Sequence, residues 1–365
     1  MELVLTISAV IYSLRLVYFL SGQLRASVRK QNDVPHRRVS IIIPARNEAT
    51  TLHRCIASLR TITYPEHLLE IIIVNDRSTD ATGSIIEQAA QSWSVIKTVH
   101  RTESEARENL RGKPGALQAG VDRASGDVLL FTDADCVVDP DWVHTMLAPF
   151  NNERVKMVCG FTTIEHSSAF GVLQDVEWLY THSMAQGSLT NGIPIGCFGN
   201  NLAIDAAAFR ALGGYNVVSF SITEDLALLQ AMVRAGHSVS YICSADSAVE
   251  TLPCNTLMEY LHQKQRWVRG GTQLGWRATI FVITSVTYWA ALVLSIATQS
   301  ASWILTFLAL RALGDGLLIN LSVIRLRRWS SIPAIAPSLI ILLLLELILP
   351  MLALRKRVQW KGQTF

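Results

Sequence analysis

Val128-Leu129-Leu130-Phe131-Thr132-Asp133-Ala134-Asp135 is an apolar run that closes on two carboxylates separated by one small residue. A short continuous apolar run of this kind reads as a buried strand. Two oxygen-rich side chains just beyond its end can hold a hard divalent cation that also bridges diphosphate oxygens. By themselves they can equally cap a turn, and the residues upstream decide how the pair is read. Val39–Ile43, Glu70–Val74 and Val95–Val99 are further β-branched runs, alternating with helical stretches over Ala49–Leu59, Asp80–Ala90 and Pro114–Arg123. Strand and helix alternating at that spacing predict parallel crossovers, hence an α/β sheet covered on both faces.

Ligands of such sheets sit outside the carboxyl ends of the strands, so informative residues should follow strands. After the first strand comes Pro44-Ala45-Arg46-Asn47-Glu48, where the proline is expected to end the strand. After the second comes Asn75-Asp76-Arg77-Ser78-Thr79-Asp80. Asp76 can accept a hydrogen bond from a ribose hydroxyl or a base edge, while Ser78 or Asp80 caps the next helix. Farther on, Ser221-Ile222-Thr223-Glu224-Asp225-Leu226 opens a helix running through Gln230 and Arg234. Acids are favoured near a helix N-terminus, which is one account of this start. The other makes Asp225 a general base, since transfer to a hydroxyl needs a carboxylate to take its proton. Gln263-Lys264-Gln265-Arg266-Trp267 ends a helical stretch, and a basic, aromatic segment beside a membrane also suits lipid headgroups. Arg101 to Lys113, rich in charge, reads as a solvated loop, with a lid over a ligand as the alternative.

Half of the 365 residues are hydrophobic and 17% are charged, which excludes a disordered chain, a collagen or a disulfide scaffold and leaves a membrane-attached globular enzyme. A net charge of +3 is too mild to imply nucleic acid. Six scattered cysteines form no C-x-x-C pair and read as buried thiols in a reducing compartment, with room for one disulfide.

Residues 3 to 20 are apolar except for Arg15, long enough to cross a hydrocarbon core of about 30 Å. Met1-Glu2 precedes this run and Arg25, Arg29, Lys30, Arg37 and Arg38 follow it, the pattern of an uncleaved anchor that holds the following residues in the cytoplasm. Three more apolar segments follow: Thr279–Ala297, Ala301–Ile324 and Ile332–Leu354, the first two forming a tight hairpin. A third span would put Arg355, Lys356, Arg357 and Lys361 on the far side, against the charge rule, unless one segment is re-entrant or interfacial. Pro333, Pro337 and Pro350 point to an irregular last helix. Arg311 and Asp315, four apart, read as an ion pair within the bundle, with a role in acceptor passage as the alternative. Glu346 has no local partner and is either protonated or paired with another helix.

Taken in order, Val39–Glu48, Asn75–Asp80, Asp133-Ala134-Asp135, Thr223-Glu224-Asp225 and Gln263-x-x-Arg266-Trp267 resemble the family 2 glycosyltransferases of GT-A fold, over roughly residues 38 to 275. The last element is similar to the membrane-bound branch with ceramide glucosyltransferases and the processive cellulose, chitin and hyaluronan synthases. The resemblance implies that Asp76 contacts the nucleoside of a nucleotide-sugar, and Asp133 its ribose or diphosphate. It further implies that Asp135 coordinates Mg²⁺ or Mn²⁺, that Asp225 is the catalytic base and that Glu224 beside it belongs to the substrate-binding residues. Gln263, Arg266 and Trp267 would border the diphosphate and the acceptor, Lys113 would lie near the nucleotide, and Gly199-Asn200-Asn201 would border the donor sugar or acceptor. One base and one displacement predict inversion at the anomeric carbon.

The expected organisation is an N-terminal transmembrane anchor over 1–24, a cytoplasmic GT-A domain over 25–275 and a membrane region of about three apolar helices over 276–365. The expected protein is a multi-pass membrane enzyme, in the inner membrane if bacterial. It would move one sugar from a UDP- or GDP-sugar to a lipid or lipid-linked hydroxyl, without a nucleic-acid partner. A processive polysaccharide synthase and a non-catalytic nucleotide-sugar-binding scaffold are the alternatives.

Overall fold

Ile41, Ile42, Ile43, Ile71, Ile72 and Ile73 are all completely buried, which is why the two isoleucine runs form the middle of a sheet covered on both faces. Each contributes about 1.5–3 kcal/mol relative to an exposed side chain. The computed structural model describes residues 1–26, 36–102, 110–218, 221, 223–354, 359–360 and 363–364.

In chain order the elements begin with α1 (Glu2–Arg25), β1 (Val39–Ala45), α2 (Leu52–Leu59), β2 (Leu69–Asp76), α3 (Thr82–Ser92) and β3 (Ile96–Arg101). Next come α4 (Lys113–Val121), β4 (Val128–Phe131), β5 (Val137–Val138), α5 (Trp142–Leu147), β6 (Val155–Gly160), β7 (Thr162–Ile164) and α6 (Ala169–Thr190). The chain continues through β8 (Leu202–Asp205), α7 (Ala206–Ala211), α8 (Glu224–Arg234), β9 (Ser238–Ile242) and β10 (Val249–Thr251). It finishes with α9 (Leu257–Gly271), α10 (Trp276–Ala297), α11 (Ala301–Arg325) and α12 (Ile332–Leu354). Contacts divide it into two units. The sheet unit is Val28–Glu165 with Gly196–Leu252, and the helical unit is Met1–Ser27, His166–Ile195 and Pro253–Phe365.

In the sheet unit seven strands lie in the order β3-β2-β1-β4-β8-β6-β9. The expected parallel arrangement holds from β3 to β4. It fails at β8, which runs antiparallel to both β4 and β6. The strands after Phe131 are two to six residues long, too short for periodicity to give their direction. Pro44 does not end β1, which pairs with β2 through Ala45. β4 reaches only as far as Ile42, so Pro44 lies where β1 has a neighbour on one side, a setting that tolerates a missing N–H. All six cysteines are free, five of them buried.

Four helices of the other unit, α1, α10, α11 and the stretch containing α12, are long and apolar enough to cross a membrane. The α10–α11 turn is the expected hairpin. α12 is helical through Pro337 and Pro350, correcting the irregular form expected of it. The basic residues 355–357 and 361 lie outside the described residues, as do Arg29 and Lys30. Arg311 pairs with Asp315 at 2.5 Å, as expected. Glu346 pairs across helices with Arg311 at 2.8 Å and Arg15 at 3.5 Å, so two cations and two anions balance inside the bundle. Tyr12 and Tyr180 both donate to Asp315, at 3.3 and 3.2 Å.

α6 and α9 pack with these apolar helices. A Cβ added to Gly22 of α1 would collide with the backbone of Gly187 of α6, and one at Gly187 with the backbone of Phe19, so the two helices cross backbone to backbone. Alongside, Gln23 donates to Ser183, Ser322 and the Leu318 carbonyl at 2.9–3.1 Å.

Candidate active site

Because β1, β2 and β4 are parallel, their carboxyl ends share one edge of the sheet, and the antiparallel β8 begins at that edge. Phe131 pairs with Leu202, placing Thr132–Asp135 beside Gly199–Asn201. The first turns of α4 and α8 bring Lys113, Glu224 and Asp225 to the same place. Pro114 falls in the first turn of α4, where its missing N–H breaks no helical bond.

The Lys113 ammonium lies 2.7 Å from one oxygen of Asp133 and 2.9 Å from the other, and 3.3 Å from Glu224. Burial works against its charge, but Asp133 and Glu224 outweigh it and hold the ammonium above the usual lysine range. Asp225 next door accepts the Gly199 N–H at 2.8 Å and the Leu226 N–H at 2.7 Å. Burial, then the Glu224 charge, push its carboxyl up to about 7, against the opposing pull of Leu226, Lys113 and Gly199. The Tyr215 phenol, buried beside this group, is driven well above its ordinary value by burial and by Glu224 and Asp225. A carboxyl that ionises near neutrality is a stronger base than an ordinary aspartate and is still about half ionised at neutral pH.

Asp76, at the end of β2, is gripped by two guanidiniums: Arg77 at 2.9 and 3.2 Å and Arg101 at 2.8 Å. Arg101 is therefore the buried last residue of β3, correcting its assignment to a solvated loop. Of that charged segment, residues 103–109 lie outside the described residues. The loops after β1 and β2 are stitched together, Asn47 N–H donating to Ser78 Oγ at 3.1 Å and Thr79 N–H to Asn47 Oδ1 at 2.8 Å. Asp80 accepts from the N–H groups of Thr82 and Ala49 at 3.0 and 3.1 Å, so it satisfies the start of α3 and ties it to the first loop.

Asp135 accepts from Cys136 Sγ at 3.5 Å. The buried thiols of Cys55 and Cys136 are raised by desolvation and then by the charges of Asp135 and Asp133. Among the described residues no three His, Cys, Asp or Glu side chains converge as a metal cage. The donor set still fits Mg²⁺ or Mn²⁺, since such ions are commonly held by one or two carboxylates with phosphate oxygens and water completing the shell.

Of the segment Gly199-Asn200-Asn201, Gly199 bonds to Asp225, and Asn200 donates to Cys136 Sγ at 3.7 Å. Asn200 is turned to Thr162 Oγ1 at 2.8 Å, and Asn201 bonds Trp142 and the Phe161 and Ser247 carbonyls at 2.7–3.0 Å. These two asparagines fasten β8 to its neighbours.

Gln263, Arg266 and Trp267 belong to the helical unit and are described within it. They lie inside α9, not at its end, and the helix continues to Gly271. Trp267 meets Trp178 of α6 edge-on with ring centroids 5.0 Å apart. Gln263 Oε1 is buried without a hydrogen-bond donor among the described residues.

Comparison with known proteins matches residues 40–209 to the profile of glycosyl transferase family 2, and residues 128–353, more than half of the chain, to that of glycosyl transferase family group 2. The chain belongs to glycosyl transferase family 2. A solved neighbour in fold is the mannosyltransferase PcManGT from Pyrobaculum calidifontis, in complex with GDP-Man and Mn²⁺. It matches with a TM-score of 0.60 over 94% of this chain and 98% of that one, at 19% identity. Among curated relatives, the probable glycosyltransferase YdaM of Bacillus subtilis is 27% identical over 70% of this chain and 62% of its own length. The beta-monoglucosyldiacylglycerol synthase of Synechocystis is 28% identical over 66% of this chain and 49% of its own. The poly-beta-1,6-N-acetyl-D-glucosamine synthase of Staphylococcus aureus is 26% identical over 70% and 61%. The chain thus spans about half to three fifths of the length of these relatives.

Within the family 2 core, Arg101 and Tyr215 are the site neighbours that the motifs do not announce. Arg101 comes to Asp76 through β2–β3 register, Asp76 pairing directly with Arg101, which only the strand alignment reveals. Nothing in the local sequence marks Tyr215.

Proposed function

We propose that this family 2 protein transfers a sugar from a nucleotide-diphosphate-sugar to a hydroxyl of a lipid or lipid-linked acceptor, with inversion. The observation that carries the reading is the Asp225 carboxyl, pushed up to about 7 and oriented by two backbone N–H groups beside the Lys113–Asp133–Glu224 cluster. Asp225 takes the proton of the acceptor hydroxyl as its oxygen attacks the anomeric carbon, and the bond to the diphosphate breaks on the opposite face. Asp76 and Lys113 orient the nucleotide, and Asp133 meets its ribose or diphosphate. Asp135, with Asp133 beside it, would hold Mg²⁺ or Mn²⁺, which supplies positive charge for the leaving diphosphate. Gln263, Arg266 and Trp267 border the diphosphate and acceptor, a role drawn from the family motif. Four apolar helices and a relative named for a diacylglycerol product support a membrane lipid as acceptor. The catalytic unit is assigned to the cytoplasmic side, where nucleotide-sugars are found.

A relative named as a polysaccharide synthase keeps processive transfer as the second reading. Membranes containing the protein, given radiolabelled UDP- and GDP-sugars with Mg²⁺ or Mn²⁺, should yield a lipid carrying one sugar; a ladder of polymer would favour the second reading. Asp225→Asn should lower transfer by about 10²–10⁴-fold while still binding donor. Unchanged transfer would remove Asp225 from the mechanism, whereas donor binding by the wild-type chain with no transfer to any acceptor would leave a nucleotide-sugar-binding scaffold.

A further inference from the structure

Helix α6 grips α9 and the segment just before it at two successive turns. Gln174 donates to the Cys254 carbonyl at 3.0 Å and accepts the Cys254 N–H at 2.9 Å. One turn on, Glu177 takes the Lys264 ammonium, and Trp178 meets Trp267 edge-on. Lys264 occupies one of the two spacer positions of Gln263-x-x-Arg266-Trp267, which the motif leaves open, yet it is only 2% exposed. Its Nζ stands 3.8 Å from the centroid of the Trp267 ring and 4.7 Å from that of Tyr260. Glu177, equally buried, is held in turn by Thr181 Oγ1 at 3.0 Å.

Taking an ammonium and a carboxylate out of water is costly, and an apolar pair of similar volume would usually serve packing as well or better. The ion pair therefore calls for a role beyond stability, and the placement of the ammonium on an indole face supplies one. A desolvated cation on an aromatic face favours one ring orientation by about tenfold or more.

We propose that Lys264 and Glu177 are a positioning pair for Trp267: Glu177 fixes the ammonium, and the ammonium fixes the indole plane against which the acceptor is aligned. The proposal rests on the reading of Trp267 as a residue bordering the acceptor. Neither member of the pair touches substrate; both act through the ring.

The test uses the full chain in phosphatidylcholine vesicles carrying graded diacylglycerol, labelled with 5-fluorotryptophan so that the Trp267 resonance, assigned by Trp267→Phe, is followed by ¹⁹F NMR. The double variant Glu177→Leu/Lys264→Met should keep the wild-type Tm, since both charges leave together. Its Trp267 resonance should shift, and its acceptor KM should rise about tenfold with donor KM unchanged. A double variant with an unmoved resonance and unmoved acceptor KM overturns the positioning role. A shifted resonance with unmoved acceptor KM, and a Trp267→Phe variant that also transfers normally, overturns instead the reading of Trp267 on which it rests. Should the double variant fail to accumulate, Lys264→Arg and Lys264→Gln are compared: the arginine variant should keep the resonance and acceptor KM and the glutamine variant lose both, and equal behaviour of the two overturns the proposal.

Discussion

The Lys113 ammonium lies 2.7 Å from Asp133 and 3.3 Å from Glu224, so one half-buried cation joins the end of β4 to the first turn of α8. Asp225 feels both partners of the second contact with opposite sign. The transfer rate should rise with pH through about 7 as Asp225 ionises. Glu224→Gln removes a negative neighbour and should move that limb down, whereas Lys113→Met removes a positive one and should move it up, each by about one pH unit. Profiles of kcat from about pH 5 to about pH 9 check this; limbs moving in the same direction would contradict the arrangement.

Stability should carry the same signature. The folded carboxyl of Asp225 lies at about 7, above its ordinary value of 3.8, so between those values the folded chain holds more protons than the unfolded one. Its contribution is fully present below the lower value and is lost as pH rises through the upper. Asp225→Asn should match wild type in Tm at about pH 4 and exceed it by a few degrees at about pH 8, in thermal unfolding of the detergent-solubilised chain.

Chelation should silence the enzyme. Excess EDTA is expected to bring transfer to background, with recovery on adding Mg²⁺ or Mn²⁺. Asp135→Asn should raise the metal concentration for half-maximal transfer by about tenfold or more, measured by titration at saturating donor. A variant with wild-type metal demand would assign the cation elsewhere.

The α1–α6 crossing predicts a steric phenotype remote from the chemistry. Gly22→Leu or Gly187→Leu forces apart backbones that now touch and should lower the Tm by several degrees, while exposed Leu14→Ala on α1 should leave it within about one degree. Equal effects at the three positions would argue against the close crossing.

Much of the sheet's first half was legible because Ile41–Ile43, Ile71–Ile73 and Val128–Phe131 are apolar without interruption, the mark of strands buried on both faces. The strand-end residues Asp76, Asp133 and Asp135 followed from those strands, and Asp225 from a helix start. What stayed hidden has two physical causes. β8 is four residues long and its direction depends on partners remote in sequence, Val128–Phe131 on one side and Met157–Cys159 on the other. α6 shows no apolar stripe, because Gln174, Asp175, Glu177, His182, Ser183 and Gln186 are buried together with Val176, Trp178 and Leu179. A helix enclosed on most sides, with its polar groups paired internally, leaves no periodic trace.

The helical unit is assembled from three separate stretches of chain, with α6 supplied from between β7 and β8. Trimming both termini would not yield a water-soluble catalytic fragment, because it would strand α6 with its glycine seam and buried polar face bared. Expression of the sheet unit by itself calls for excising residues 166–195 and bridging the gap with a flexible linker, in addition to removing the ends, and would leave out Gln263, Arg266 and Trp267.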